Sequence, residues 1–216
     1  MIITFANQKG GVGKTTLCLL FANYLSKRGE NVLVMDLDRQ RSILSKRKAD
    51  ASAFTDQEES YNVEECDIEN LDHAQRLMEE AKKIDGYILL DTPGNVTEDG
   101  LIPIFKGTDV IVCPFKYEKL CLESTGVFIQ VLLKLKDQFS TMNPKMFYVP
   151  NHIDTRIGTS EEKELWAETD DVFRQFGYVT PLVAYKSSLM RTNTYTLSMQ
   201  QEIEVQPCFD YILQHM

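Results

Sequence analysis

Short apolar runs alternate with helical patterns along almost the whole chain, and this alternation restricts the fold more than any other feature. The apolar runs are continuous rather than interrupted by polar residues, and they cover residues 2–7, 31–36, 87–91, 109–115, 145–151 and, more weakly, 178–185. Helical patterns lie at about 14–27, 70–83, 97–106, 118–138, 160–176 and 188–200. Continuous apolar strands separated by helices are typical of a parallel sheet covered on both faces. The sequence therefore predicts an α/β fold with a doubly wound, mostly parallel sheet and helices on both faces.

Length and charge set further limits. With 216 residues the chain is long enough to bury a full core as a single domain over residues 1–216. Its 32 Asp and Glu residues exceed its 23 Lys and Arg residues, which gives a net charge of -9. This acidic balance argues against a protein coated by nucleic acid, although it leaves room for a local basic patch. Segment 37–60 begins basic and becomes acidic, and we interpret it as a solvated helix followed by a surface loop.

The sequence pattern favours a reducing, aqueous compartment. No apolar run reaches 18 residues, and the N-terminus lacks the basic segment and apolar core of a signal peptide. The five cysteines are scattered without a Cys-x-x-Cys pair, which favours buried free thiols. We therefore expect a cytoplasmic location.

A glycine-rich loop follows the first predicted strand and precedes the first predicted helix. Backbone N–H groups of such a loop converge on phosphate oxygens, and the helix N-terminus adds partial positive charge. In this context Lys14 is predicted to pair with the β- and γ-phosphates of a nucleotide, and the Thr15 hydroxyl is predicted to bind Mg²⁺. The predicted nucleotide-binding residues of the loop are Gly10, Gly11, Val12, Gly13, Lys14, Thr15 and Thr16.

The loop departs from the ordinary phosphate-binding pattern at its entrance. Gln8 occupies the position of the first glycine, and Lys9 and Gly10 follow it. The segment KGGVGKTT (9–16) resembles the deviant Walker A box of the ParA/MinD family of ATPases, whose fold is a P-loop NTPase of the SIMIBI type. In that family the upstream lysine reaches across a nucleotide-sandwich dimer to the phosphates of the partner subunit. The resemblance implies ATP as the substrate, a homodimer on ATP binding, and a catalytic role in trans for Lys9.

A second acidic segment supports the same resemblance. VLVMDLDRQ (32–40) is similar to the box that the family usually writes D-x-D-P-Q. Asp36 ends the second predicted strand, where open parallel sheets bind their ligands, and we assign it to the metal site. Asp38 matches the position that orients the attacking water in family members, while Arg39 replaces the usual proline. Solubilising charges at a strand end are the alternative interpretation of the two aspartates.

Two further strand ends carry candidate ligands. YILLDTPG (87–94) resembles a Walker B segment that ends in Asp91, close to Mg²⁺ either directly or through water. Asn151 ends a later strand and looks like the residue that reads the adenine edge, because an amide both donates and accepts hydrogen bonds. The next residue, His152, is interpreted as a polar loop residue. The predicted catalytic residues are Lys9, Lys14 and Asp38, and the predicted metal ligands are Thr15, Asp36 and Asp91.

A partition-type ATPase is the function that the resemblance favours. In such proteins the ATP-bound dimer holds DNA non-specifically, and a partner protein, ParB-like or another DNA-binding adaptor, stimulates hydrolysis. The cargo is a plasmid, a chromosome or a mobile element. Lys186 and Arg191 lie in YKSSLMRTNTY (185–195), which is a candidate DNA contact together with segment 39–48, and such binding would place the protein on the nucleoid. A plain surface helix is the alternative interpretation of segment 185–195.

Two other functions within the same resemblance stay open. A membrane-cycling ATPase like MinD ends with a basic amphipathic helix, whereas this chain has no lysine or arginine after Arg191. Membrane binding is therefore not expected. A metabolic enzyme of related fold activates carboxylates, but such enzymes generally lack the lysine that Lys9 matches.

Overall fold

A parallel sheet forms the centre of the structure. The computed structural model describes residues 1–68, 70–94, 100–154, 156 and 158–216. The strands in these residues are β1 (Ile2–Phe5), β2 (Val32–Asp36), β3 (Asn62–Glu65), β4 (Tyr87–Asp91), β5 (Val110–Phe115), β6 (Lys145–Ile153), β7 (Tyr178–Val179) and β8 (Val183–Ala184). Their order is β3-β2-β4-β1-β5-β6-β7, and β8 pairs with the end of β6. All these pairs are parallel, which confirms the predicted fold class.

Helices cover both faces of the sheet. They are α1 (Lys14–Lys27), α2 (Ser42–Ala51), α3 (Leu71–Ala81), α4 (Leu101–Gly107), α5 (Lys119–Gln138), α6 (Ser160–Arg174) and α7 (Met199–His215). Successive side chains of β4 point to opposite faces, so Ile88 and Leu90 pack into one hydrophobic cluster and Leu89 into the other. The first cluster includes residues of α3, α4 and α5, and the second includes residues of α1 and α7. Burial on both faces explains why the strands are continuous apolar runs.

Most predicted elements lie where the apolar pattern placed them. Helix α1 begins and ends at the predicted residues, and Gly29 follows it in a left-handed conformation with φ 83°. The predicted helix at 97–106 is observed from residue 101, while residues 97–99 lie outside the described part of the chain. The weak strand at 178–185 divides into two short strands, β7 and β8. A single domain over residues 1–216 stays a prediction.

The predicted helix at 188–200 is wrong. Leu189–Arg191 form a short 3-10 helix, and the chain then continues as a loop. In that loop Asn193 Oδ1 accepts hydrogen bonds from the backbone amides of Tyr195 and Thr196, at 2.8 and 2.7 Å. The asparagine side chain thus pairs backbone amides that a helix would have paired, and this local hydrogen bonding favours a loop over a helix.

The C-terminal helix and one edge strand were missed. Helix α7 starts with a capping box, in which the Ser198 hydroxyl accepts from the Gln201 amide and the Gln201 side chain accepts from the Ser198 amide. Strand β3 is short, mostly exposed and rich in Asn and Glu, so it has no apolar signal. None of the helices in the described residues is long and apolar enough to cross a membrane.

Candidate nucleotide-binding site

A cleft of about 440 Å³ lies at the carboxyl edge of the central strands. The loop between β1 and α1 forms one wall, and the segments that follow β2 and β4, with His152 near the end of β6, complete it. Because these strands are parallel, their carboxyl ends lie at the same edge of the sheet. The residues that line the cleft are Gly10, Gly11, Gly13, Lys14, Thr15, Thr16, Asp38, Gln40, Ser42, Gly94 and His152.

The backbone of the loop has the shape of an anion-binding site. Gly11 and Gly13 have φ values of 74° and 96°, a left-handed region that glycine adopts at little cost. Gly13 is the N-cap of α1 and supplies no side-chain acceptor, and the first helical turn contains no acidic residue. The first amides of α1 are therefore left to an outside acceptor, and a phosphate suits them in both geometry and charge.

Lys14 extends into the same cleft. Its side chain is 8% exposed, and its Nζ donates a long hydrogen bond of 3.5 Å to the Lys9 carbonyl. Burial lowers the pKa of Lys14, while the charges of Asp91 and Asp38 raise it. A largely desolvated ammonium with one long hydrogen bond would be stabilised by an incoming anion.

Strand register brings two of the predicted metal ligands together. Asp36 on β2 is paired with Asp91 on β4, and both are fully buried. Thr15 Oγ1 donates a hydrogen bond of 2.7 Å to Asp91 Oδ2. Burial, as the largest cause, raises the pKa of Asp91 to about 7, and the hydrogen bond from Thr15 lowers it. Asp36 and Asp91 thus end paired strands, and Thr15, in the first turn of α1, reaches Asp91.

These residues fit a magnesium ion. Asp91 Oδ1 and Asp36 Oδ1 are buried and have no hydrogen-bond partner in the protein. Each of these oxygens is therefore free to coordinate a metal ion. Mg²⁺ prefers oxygen ligands and usually takes one or two carboxylates, with water and substrate phosphates completing its shell. Among the described residues, no three acidic, histidine or cysteine side chains cluster as metal ligands.

Asp36 also holds the start of α2. Its Oδ2 accepts hydrogen bonds from the amides of Ile43 and Leu44, at 3.0 and 3.2 Å. Burial raises the pKa of Asp36, and these backbone bonds lower it. Nearby, Asp38 lies in the cleft, and its Oδ1 accepts from the Gln40 amide at 2.9 Å. The sequence could predict the position of both carboxylates, but not the capping role of Asp36.

Asn151 holds the phosphate loop through a hydrogen bond to the loop backbone. It is 2% exposed, and its Nδ2 donates a hydrogen bond of 2.7 Å to the Val12 carbonyl. The structure therefore brings Asn151 to the phosphate loop and uses one of its amide hydrogens there. Its contact with adenine stays a prediction.

His152 is a residue of the cleft that sequence reasoning missed. It has φ 58°, which is uncommon for a residue other than glycine, and the β6–β8 register is irregular between Asn151 and Ile153. The irregularity directs the imidazole into the cleft, where it packs edge-to-face with Tyr185 at 5.9 Å. Burial, followed by the charge of Lys116, lowers the pKa of His152, which favours its neutral form. Only its position after Asn151 could have signalled this role.

The two candidate DNA-binding residues lie outside the cleft. Lys186 and Arg191 are exposed, and Lys186 Nζ is 3.7 Å from Glu204 Oε1 on α7. The structure therefore does not bring this pair to the nucleotide site, and a carboxylate offsets the charge of Lys186.

We expect Gly13→Ala to impair both the loop and its ligand binding. An alanine Cβ would collide with the Asn151 amide, and the left-handed backbone adds strain. The free energy of unfolding should fall by about 1–2 kcal/mol, and nucleotide affinity should drop. Gly126→Ala on α5 is the control, because open space surrounds that position. Thermal unfolding and nucleotide titration measure both effects; unchanged affinity and stability in Gly13→Ala would contradict this account.

A parallel sheet with a glycine-rich loop, a buried lysine and paired aspartates defines the class of P-loop nucleotide-binding proteins. The model of the CobQ/CobB/MinD/ParA nucleotide binding domain matches residues 3–191. The chain belongs to this family, which confirms the resemblance to ParA/MinD proteins.

Curated relatives include two Soj proteins. The sporulation initiation inhibitor protein Soj of Bacillus subtilis is 26% identical, and the match covers 65% of this chain and 68% of that protein. The chromosome-partitioning ATPase Soj of Thermus thermophilus is 54% identical over 43 residues. That match covers 20% of this chain and spans only 17% of the Thermus protein.

Solved structures share the fold over nearly the whole chain. A protein of Borrelia burgdorferi B31, assigned to plasmid partition and bound to AMPPNP, has a TM-score of 0.76 and 19% identity, covering 100% of this chain and 99% of that one. The cell division protein MinD of Aquifex aeolicus has a TM-score of 0.70 and 19% identity, covering 100% and 97%. Cobyrinic acid a,c-diamide synthase of Mycobacterium smegmatis, bound to an ATP analogue and magnesium, has a TM-score of 0.72 and 18% identity, covering 99% and 94%.

Proposed function

We propose that this protein is a ParA-type ATPase that dimerises on ATP and acts in segregating a plasmid, chromosome or mobile element. The observation that carries the proposal is a lysine at the entrance of an open phosphate cleft. Lys9 N donates to Asn7 Oδ1 at 3.2 Å, and Asn7 is anchored in the core by bonds to Pro114 and Thr125. The backbone at Lys9 is thus held in place, while its side chain is half-exposed.

The exposed edge of the loop leaves room for a second subunit. Gly10 and Gly11 are exposed, and nothing lies within 4 Å of the position that a Cβ would take at either residue. Across the cleft, a Cβ at Gly94 would lie 3.5 Å from Lys14 Nζ and 3.6 Å from Gly10 Cα. The cleft is therefore narrow between Gly94 and Lys14 and open beside Gly10 and Gly11, which suits a lysine that arrives from a partner.

Each predicted residue then has a role at the nucleotide. Lys14 and the loop amides bind the phosphates, and Asp38 orients the attacking water. Thr15, Asp36 and Asp91 would hold Mg²⁺, which neutralises phosphate charge when it is bound. Asn151 keeps a carbonyl oxygen and a second amide hydrogen for the adenine edge. Lys9 of the other subunit adds positive charge at the transferred phosphate, so hydrolysis depends on dimerisation.

DNA and an adaptor protein are the proposed partners. The relative named for chromosome partitioning and the structure assigned to plasmid partition support this choice. Within segment 39–48, Arg47 is 6% exposed and lies over the rings of Tyr61 and Tyr195, so it is not available to DNA. Each subunit therefore offers few basic residues to DNA, and we propose that binding requires the two subunits of the ATP-bound dimer. A ParB-like adaptor would release the DNA by stimulating hydrolysis.

The structure offers less support for membrane cycling. Helix α7 carries Glu202, Glu204 and Asp210 and contains no lysine or arginine, whereas helices that bind anionic lipid have a basic polar face. A carboxylate-activating enzyme is the third alternative, and it differs from the others in requiring a small substrate for turnover.

We expect binding to non-specific duplex DNA with ATP, but not with ADP or without nucleotide. Contacts to phosphates release counterions, so the affinity should fall steeply with increasing salt. Fluorescence anisotropy of a labelled duplex over a salt series measures this, with Lys14→Ala as a variant that cannot use ATP. ATP-dependent binding to liposomes without DNA binding would support membrane cycling instead. Turnover that appears only with an added small carboxylate would support a metabolic enzyme.

A further inference from the structure

Arg41 has an unusual backbone conformation at the junction between Asp38 and α2. Its φ and ψ are 50° and 42°, and it shares a positive φ only with His152 among the described residues other than glycine. Such a conformation costs energy in a residue with a Cβ, and it persists only where the surroundings hold it. The contacts of the Arg41 side chain show what holds it.

The guanidinium of Arg41 joins two strand ends. Its Nη1 donates to the carbonyl of Asp36, at the end of β2, and to the carbonyl of Cys66, just after β3, both at 2.9 Å. Its Nε lies 2.9 Å from Glu65 Oε1. The planar, multidentate guanidinium is suited to such a bridge, and a lysine could not make these bonds together.

Both the backbone and the side chain of Arg41 contact the backbone carbonyl of Asp38. The Arg41 amide donates to the Asp38 carbonyl at 2.9 Å, and its Nη1 makes a longer contact of 3.4 Å with that carbonyl. Asp38 lines the cleft close enough to Lys14 to influence its pKa. Helix α2 has other anchors, because Asp36 caps its amides and Arg47 Nη2 donates to the Tyr61 carbonyl. The bonds of Arg41 therefore serve the loop before the helix.

We propose that Arg41 is a positioning residue that holds Asp38 in place for hydrolysis. A proline in the acidic box would restrict the backbone of this loop, but Arg39 stands there in this chain. The bridge from Arg41 to the two strand ends supplies that restriction through side-chain bonds instead. This inference rests on the proposed ATPase function, and in particular on Asp38 acting on the attacking water.

The test compares Arg41→Lys and Arg41→Gly with the wild type. Both variants should bind a non-hydrolysable ATP analogue with affinity within about threefold of wild type, because the phosphate loop is untouched. Their single-turnover hydrolysis should be roughly tenfold to 100-fold slower, because misplacing a reacting group by about an ångström can cost about 100-fold in rate. Arg41→Gly removes the backbone strain as well, so wild-type turnover in this variant would overturn the proposal. Arg76→Ala, which removes an exposed arginine from α3, is the matched control.

A double-mutant cycle with Asp38→Ala separates positioning from general stability. If Arg41 acts through Asp38, adding Arg41→Gly to Asp38→Ala should slow hydrolysis no further. The proposal would be overturned if the loss of rate in the double variant equalled the product of the two single losses. It would also be overturned if both Arg41 variants lost ATP binding and turnover to the same extent. If Arg41→Gly unfolds at a lower temperature than the wild type, millimolar ethylguanidinium should still restore its hydrolysis, but not that of Asp38→Ala. Absence of this rescue would count against the proposal. Unchanged hydrolysis in Asp38→Ala would instead contradict the proposed function itself.

Discussion

Lys14→Ala is expected to abolish useful nucleotide binding. The ammonium is buried in the cleft, where a phosphate replaces the long hydrogen bond to Lys9 with short charge-assisted bonds. Hydrogen bonds to charged groups contribute up to about 3 kcal/mol, so the affinity for ATP should fall by roughly 100-fold or more. Calorimetric titration with ATP and Mg²⁺ measures the loss.

The control for this variant lies on the same helix. Lys27→Ala removes an identical side chain from the last turn of α1, where it pairs with Glu202 at 2.6 Å on the surface. This variant should bind ATP as the wild type does. Tight ATP binding by a folded Lys14→Ala protein would show that the phosphate loop has been assigned incorrectly.

Lys9→Ala is expected to separate binding from turnover. The subunit keeps Lys14, Thr15 and the loop amides, so its affinity for ATP should stay close to wild type. Hydrolysis, or dimerisation with a non-hydrolysable analogue, should be lost, because the partner's site then lacks the lysine supplied in trans. Light scattering gives the mass with the analogue, and phosphate release gives the rate.

A mixing experiment decides whether Lys9 acts in trans. Lys9→Ala and Asp38→Ala subunits both keep their phosphate loops, and each variant on its own should be nearly inactive. In a mixed dimer, the ATP of the Lys9→Ala subunit has its own Asp38 and receives Lys9 from the neighbour, so one site is complete. The rate of phosphate release from the mixture should therefore exceed the sum of the rates of the two variants measured separately. An inactive mixture that nonetheless forms dimers would indicate that Lys9 serves its own subunit.

The sequence by itself determined the sheet, the covering of both faces and the phosphate loop. These features depend on local patterns: apolar runs such as residues 87–91, glycines that permit left-handed turns, and a helix that starts at Lys14. Local patterns failed at strand β3, at segment 192–198 and at helix α7. Strand β3 has no apolar run because it lies at the sheet edge, and segment 192–198 binds its own backbone with polar side chains instead of forming a helix.

Only the tertiary structure decided how the site is assembled. Pairing of β2 with β4 sets Asp36 beside Asp91, and no spacing in the chain specifies that register. The same holds for Asn151, which reaches the Val12 carbonyl across 139 positions, and for Arg41, which reaches Cys66 across 25. Such contacts depend on which strands are neighbours and where each one ends. A sequence can therefore name the candidate groups, while the three-dimensional fold decides which of them meet.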